Sequence, residues 1–164
     1  MTNTIKYQLY GASLEELQNI CGTLGLPRFA HKQIAKWLYT RFVTDIDAMT
    51  DLSKVARERL KESCTLGLSA PLKVSVSQDG TKKYLFRTSQ GEYIESAYIP
   101  DGERATLCVS SQAGCRMGCR FCATGRQGLQ HSLSTTEIIN QILSIPESER
   151  LTNLVFMGMG EPLD

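Results

Sequence analysis

No apolar run in the 164 residues approaches the roughly 20 needed to cross a bilayer. The opening MTNTIKYQLYG also lacks the apolar core of a signal peptide. The chain is therefore expected to stay in the cytoplasm. An excess of one charge is missing too: 18 Lys plus Arg against 17 Asp plus Glu leave a net charge of +1, so bulk electrostatics announce no nucleic-acid partner. Neither an internal repeat nor a low-complexity segment is present. Without an export signal, the six cysteines point to thiol chemistry or metal binding rather than to a disulfide framework. What remains has an ordinary globular composition, 41% hydrophobic and 21% charged, with length for one domain or two small ones.

The distribution of charge says more than its sum. From Pro27 to Thr44 no acidic residue occurs, while Arg28, Lys32, Lys36 and Arg41 alternate with Trp37 and Tyr39. Such a stretch is either a solvated helix face or an RNA contact, and the residues alone leave both open. Ser13 and Glu16 stand in capping-box relation ahead of Leu14, Leu17, Ile20 and Leu24, and Gly25 and Pro27 end that helix. A second helix is predicted over Phe29 to Phe42, with Ile34, Trp37, Leu38 and Phe42 inward. A third is predicted over Ser53 to Ser63, with Val55, Ala56 and Leu60 on one side. Residues 1–67 thus read as a small helical accessory domain.

The period then changes. Leu72, Val74 and Val76 alternate with polar residues, Asp79-Gly80 predicts a two-residue hairpin turn, and Tyr84 and Phe86 alternate on the return strand. A third strand, Glu92 to Ile99, ends at Pro100-Asp101-Gly102. Residues 68–103 read as a short antiparallel β extension. Over 104–164 the pattern is strand, glycine-rich loop, helix, strand. Ala105, Leu107 and Val109 take one face of the first strand and Thr106, Cys108 and Ser110 the other. Thr135 or Thr136 is expected to cap a helix carrying Ile138, Ile139 and Ile142, and Leu154 to Met157 forms the next strand. A βαβ unit with parallel strands and a right-handed crossover follows.

Inside that glycine-rich loop, Cys115, Cys119 and Cys122 are spaced Cys-x3-Cys-x2-Cys beside Gly114, Gly118 and Gly125, so three thiolates can curl onto one small object. Four-iron clusters usually take four cysteines, and three would leave one iron open to chemistry. The alternative is zinc, with His131 as fourth ligand, although the second cysteine knuckle usual in such sites is missing. Cys21 and Cys64 fall in helical patterns and read as small core residues or partly exposed thiols. Arg116, Arg120 and Arg126, interleaved with Phe121, could neutralise cluster charge or touch RNA phosphate.

The string RATLCVSSQAGCRMGCRFCATG, 104–125, closely resembles the motif of the bacterial radical S-adenosylmethionine (SAM) adenine-C2 RNA methyltransferases. GMGEP, 158–162, resembles the Gly-Gly-Glu-Pro motif of radical SAM barrels, with Met159 in place of a glycine. The resemblance implies an α/β fold: the helical domain, the β extension, and the first βαβ of a partial (β/α)6 barrel. It implies a [4Fe-4S] cluster held by Cys115, Cys119 and Cys122, and SAM bound through Gly160 and Glu161.

It further implies methylation of carbon 2 of adenosine in 23S ribosomal RNA and transfer RNA, through a methyl-carrying cysteine beyond this sequence. In that scheme Glu95 is the proton acceptor, and Cys108 is the resolving thiol that frees the RNA by forming a disulfide. Taken without the resemblance, Cys108 reads as a buried packing residue and Glu95 as an exposed side chain. Only two barrel strands are present, so the chain is expected to be an N-terminal portion, inactive alone, whose Leu154–Met157 strand self-associates. Two alternatives stay open: a carbon-8 methyltransferase relative linked to antibiotic resistance, and a noncatalytic RNA-binding module with a structural cysteine loop.

Overall fold

The computed structural model describes residues 7–164. It divides into two compact units, the first ending at Leu68 and the second comprising Ser69–Asp164.

In the first unit, β1 (Tyr7–Gln8), α1 (Leu14–Thr23), α2 (Ala30–Tyr39), α3 (Lys54–Ser63) and β2 (Cys64–Thr65) follow in order. The capping box forms: the Ser13 hydroxyl accepts from the Glu16 N–H at 3.2 Å, and Glu16 accepts from the Ser13 N–H at 2.7 Å. Leu17, Ile20 and Cys21 are buried, but Leu14 is half exposed at the helix start. Gly25 ends the turn in the left-handed region at φ 62°.

The second helix stops sooner than its apolar pattern suggests. Phe42 sits beyond its end at φ 49° and is 57% exposed, so it does not face inward. Trp37 is only half-buried, because its indole N–H donates to Asp51 and the Arg41 guanidinium stacks on its ring 4.1 Å from the centroid. Ala30, His31, Ile34 and Leu38 fill the inward stripe instead. Likewise Val55 is exposed while Ala56 and Leu60 are buried. A parallel pairing of β1 with β2, Tyr7 opposite Cys64, closes the unit; two-residue strands carry too little periodicity to be read from sequence.

The second unit is built on one sheet of order β3-β4-β5-β6-β9: β3 (Lys73–Val76), β4 (Lys82–Arg87), β5 (Tyr93–Asp101), β6 (Arg104–Cys108) and β9 (Asn153–Val155). The β extension and the strand–loop–helix–strand segment therefore share a single ladder. Pairing is antiparallel from β3 to β6 and parallel between β6 and β9, where Leu107 meets Leu154. Two further strands, β7 (Gln112–Ala113) and β8 (His131–Ser132), pair antiparallel at the base of the cysteine loop, with α4 (Ala123–Arg126) between them. Helix α5 (Thr135–Leu143) follows.

Several local expectations shift. The first hairpin loop holds three residues, 78–80, between Ser77 and Thr81, with Gly80 at φ 83°. β5 runs through Pro100 to pair Asp101 with Arg104, so the turn is Gly102-Glu103. Ser134, not a threonine, caps α5: its hydroxyl accepts from the Glu137 N–H and Glu137 reaches back to the Ser134 N–H. β9 begins at Asn153, and Phe156 and Met157 lie past its end.

The core joins Tyr84 and Phe86 of β4, Ile94 and Tyr98 of β5, and Ala105, Leu107 and Val109 of β6 and its extension, with Ile138 and Ile142 of α5 packed against it. Complete burial of a side chain such as Leu107 stabilises by about 1.5–3 kcal/mol. One carboxylate, Glu147, lies within this layer, bound by the Lys82 ammonium and the Tyr84 hydroxyl. All six cysteines are free thiols. The disulfide implied by the resemblance thus has no counterpart among the described residues; its second cysteine was expected beyond this sequence. Among the described residues no helix is long and apolar enough to cross a membrane.

Candidate cofactor site

The strand β6 sorts its residues between two chemistries. Leu107 faces the core opposite Tyr98, and Cys108 pairs with Ala97, two residues from Glu95. Cross-strand partners and i±2 neighbours share a face, so Cys108, Glu95 and Lys83 lie on the side away from the core. The Lys83 ammonium stands 3.0 Å from the Glu95 carboxylate. Burial pushes the Cys108 thiol above its ordinary range, partly opposed by a hydrogen bond from the Met157 backbone.

Past Cys108 the chain makes a knot around Ser110, which is fully buried. The Ser110 N–H donates to Gln141 Oε1 at 2.8 Å, and Gln141 Nε2 donates back to the Ser110 carbonyl at 3.0 Å. Its hydroxyl donates to the Glu95 carbonyl at 2.6 Å and accepts from the Met159 N–H at 2.8 Å. The segment Gly158–Pro162 is thereby laid directly on 109–112. Gly158 N–H donates to Val109 C=O at 3.1 Å, Ser111 N–H to Met159 C=O at 2.8 Å, and Glu161 N–H to Gln112 Oε1 at 3.0 Å.

That contact explains the motif's glycines. A Cβ at Gly158 would stand 2.7 Å from the Val109 carbonyl, and one at Gly160, where φ is +100°, would stand 2.6 Å from Gln112 Cβ. Neither approach tolerates a side chain. Met159, where the general motif has glycine, packs against the core.

The cysteine loop is closed by the same kind of approach. Cys115 N–H donates to Gly128 C=O at 3.1 Å, and a Cβ on Gly114 would fall 1.8 Å from that oxygen. Cys115 is buried, Cys122 half-buried and Cys119 exposed. Backbone N–H groups of Gly125 and Thr124, at the start of α4, hold the Cys122 thiol below its ordinary range. Among the described residues, no three His, Cys, Asp or Glu side chains stand close enough to grip one metal ion. The donor set nevertheless fits a cluster: three free thiols on one glycine-hinged loop, one of them biased toward thiolate.

His131 lies on β8, its ring 90% buried and its Nδ1 3.3 Å from a Glu92 oxygen; that side chain faces a carboxylate rather than completing a zinc site with the cysteines. Arg116 pairs with Asp164 at 2.7 Å, and Arg126 donates to the Arg120 carbonyl at 3.0 Å. Phe121 is 92% exposed.

A cleft of about 590 Å³ opens between these parts, lined among others by Glu95, Tyr93, Thr124, Gln127 and Met159. Glu95, the residues just after Cys122, and Met159 of the GMGEP segment all line it, whereas Cys108 does not. Sequence reasoning missed Ser110, Gln112 and Gln141. The available signal was polar: a Ser-Ser-Gln run directly after an apolar strand, and a glutamine one residue before Ile142.

Similarity to known proteins follows the same division. Residues 7–66 match the family profile of the ribosomal RNA large subunit methyltransferase N-terminal domain, and 109–164 match that of the radical SAM superfamily. A probable dual-specificity RNA methyltransferase RlmN of Phocaeicola vulgatus is 58% identical over 98% of this chain and 46% of its own length. The dual-specificity RNA methyltransferase RlmN of Halorhodospira halophila is 46% identical over 95% of this chain and 44% of its own length. The chain thus spans under half the length of these relatives. A crystal structure of a radical SAM methyltransferase from Sphaerobacter thermophilus superposes with a TM-score of 0.81 at 40% identity, covering 96% of this chain and 48% of that one.

Proposed function

We propose that the chain belongs to the RlmN-type radical SAM methyltransferase family and that its residues serve methyl transfer to carbon 2 of adenosine in RNA, in 23S ribosomal RNA and in transfer RNA. Membership implies a [4Fe-4S] cluster and SAM. Cys115, Cys119 and Cys122 would hold the cluster, and Gly160 and Glu161 the amino end of SAM. Together the two groups supply reductive cleavage of SAM, and so a radical able to take hydrogen from an unactivated C–H bond. An adenine carbon 2 has no lone pair with which to attack a methyl group directly, which is why a polar transfer does not suffice.

The chain's own residues divide the remaining work. Glu95, beside Lys83 and on the cleft wall, accepts the carbon-2 proton. Cys108 is the thiol that frees the methylated RNA, and its raised pKa means that it must give up a proton before it attacks. The Arg28, Lys32 and Lys36 face of the first unit contacts RNA phosphate. The free edge of β9 is a surface for self-association, which sedimentation as a single monomeric species at high concentration would exclude. The same reading assigns the protein to the cytoplasm, the compartment of its RNA substrates.

The observation that carries this reading is the single cleft lined by Glu95, Thr124 and Met159 together. Anaerobic reconstitution with iron and sulfide, followed by addition of SAM and a strong reductant, tests it. Formation of 5′-deoxyadenosine is the expected result, and intact SAM with a fully loaded protein is the contrary one.

A further inference from the structure

The antiparallel ladder between β5 and β6 ends at the Ala97–Cys108 pair. Continued two residues, its register would set Ser110 opposite Glu95, backbone to backbone. That bond is not made. The Ser110 N–H is taken by Gln141, and the serine side chain supplies the donor to the Glu95 carbonyl in its place. A hydroxyl has one proton to give. With that proton on Glu95, the oxygen is left to accept, and it accepts from the Met159 N–H. The arrangement has one satisfied orientation, and at a fully buried position an unsatisfied donor or acceptor is costly.

We propose that Ser110 is a positioning residue: its hydroxyl sets the register between the strand bearing Glu95 and the loop bearing Gly160 and Glu161, so that the proton acceptor and the SAM-holding segment are placed by one buried group. The Gln141 amide fixes the serine backbone from the helix side. Gln112 repeats the device one step along, its Oε1 taking the Glu161 N–H. The claim rests on the proposed function in that Glu95 accepts the proton and Gly160 and Glu161 hold SAM; the register itself is a property of the chain.

Amide hydrogen exchange on the 164-residue chain with Ser110→Ala tests the register directly. The Met159 amide should exchange about tenfold faster than in the parent chain, while the Val109 amide, bonded to Val155, keeps its rate. Unchanged protection at Met159, or an equal acceleration at Met159 and Val109, overturns the proposal, the latter because it reports general loosening. Should Ser110→Ala fail to fold, Ser110→Cys, with a weaker donor and acceptor, is read the same way.

A second arm measures SAM affinity after cluster reconstitution. Ser110→Ala should raise Kd about tenfold, whereas Tyr84→Phe, which deletes a buried hydrogen bond to Glu147 elsewhere in the same unit, should leave it unchanged. An unaltered Kd in Ser110→Ala, or an equal rise in Tyr84→Phe, also overturns the proposal. A parent chain that binds no SAM would sink the proposed function, and the exchange arm would still decide the register.

Discussion

Cys108 and Glu95 occupy one face of the sheet, since Cys108 is the cross-strand partner of Ala97 and Glu95 lies two residues from it on the same strand. A thiol and a carboxylate from neighbouring strands are thereby presented together on the side away from the core.

In a protein of the full family length, Cys108→Ala should therefore stop release and leave RNA covalently attached to protein, detected as a shifted band on a denaturing gel. Burial raises the Cys108 pKa, so the thiolate fraction is small near neutrality, and in the parent protein release should quicken as pH rises toward that pKa. Normal release from Cys108→Ala would remove the thiol from the scheme.

Glu147 yields a pH prediction for the fold. Its burial raises the pKa, but hydrogen bonds from Lys82 and Tyr84 outweigh this and hold it below the ordinary value of 4.5. A carboxylate with a depressed folded pKa contributes stability above the unfolded value and loses it as pH falls through the folded one. Denaturant unfolding should show a loss of stability below pH 4.5 that is shallower in Glu147→Gln. Glu147→Ala, which leaves Lys82 and Tyr84 without their partner, should cost about 3 kcal/mol at neutral pH.

Two glycines offer a matched contrast. Gly160→Ala would press a methyl to 2.6 Å from Gln112 at φ +100° and should destabilise by about 2 kcal/mol or more. Gly22→Ala, in α1 with nothing within 4 Å, should stabilise by about 0.5–1 kcal/mol. Thermal or denaturant unfolding of both variants reads out the pair.

Gly114 tests the loop that presents the cysteines. A Cβ there would lie 1.8 Å from the Gly128 oxygen, so Gly114→Ala should force the base of the loop apart and sharply lower iron uptake on reconstitution. Full iron content in that variant would show that closure of the loop at Gly128 is not needed to gather the thiols.

Much of this was legible in the sequence because the relevant signals are local. The Ser13–Glu16 box, the alternation through Tyr84 and Phe86, and the parallel sense of β6 and β9 all follow from spacing, although the register that sets Leu107 against Leu154 does not. Errors arose where a tertiary partner decides. Phe42 lies past a helix end set by backbone geometry, Trp37 is held half out by Asp51 and Arg41, and Ser134 wins the cap because Glu137 answers it. At the site, the cysteines and GMGEP announce themselves by pattern. Ser110 does not, since its role depends on a carbonyl 15 residues back and an amide 49 residues on.

The proposed chemistry requires Cys115, Cys119 and Cys122 to serve as a cluster's protein ligands. The most direct measurement is iron and sulfide content with the absorbance spectrum after anaerobic reconstitution, before and after SAM, for the parent chain and for Cys122→Ala. About four irons per chain, a spectrum that changes with SAM, and loss of both in Cys122→Ala are predicted. A colourless chain carrying a single zinc ion and indifferent to SAM would contradict it.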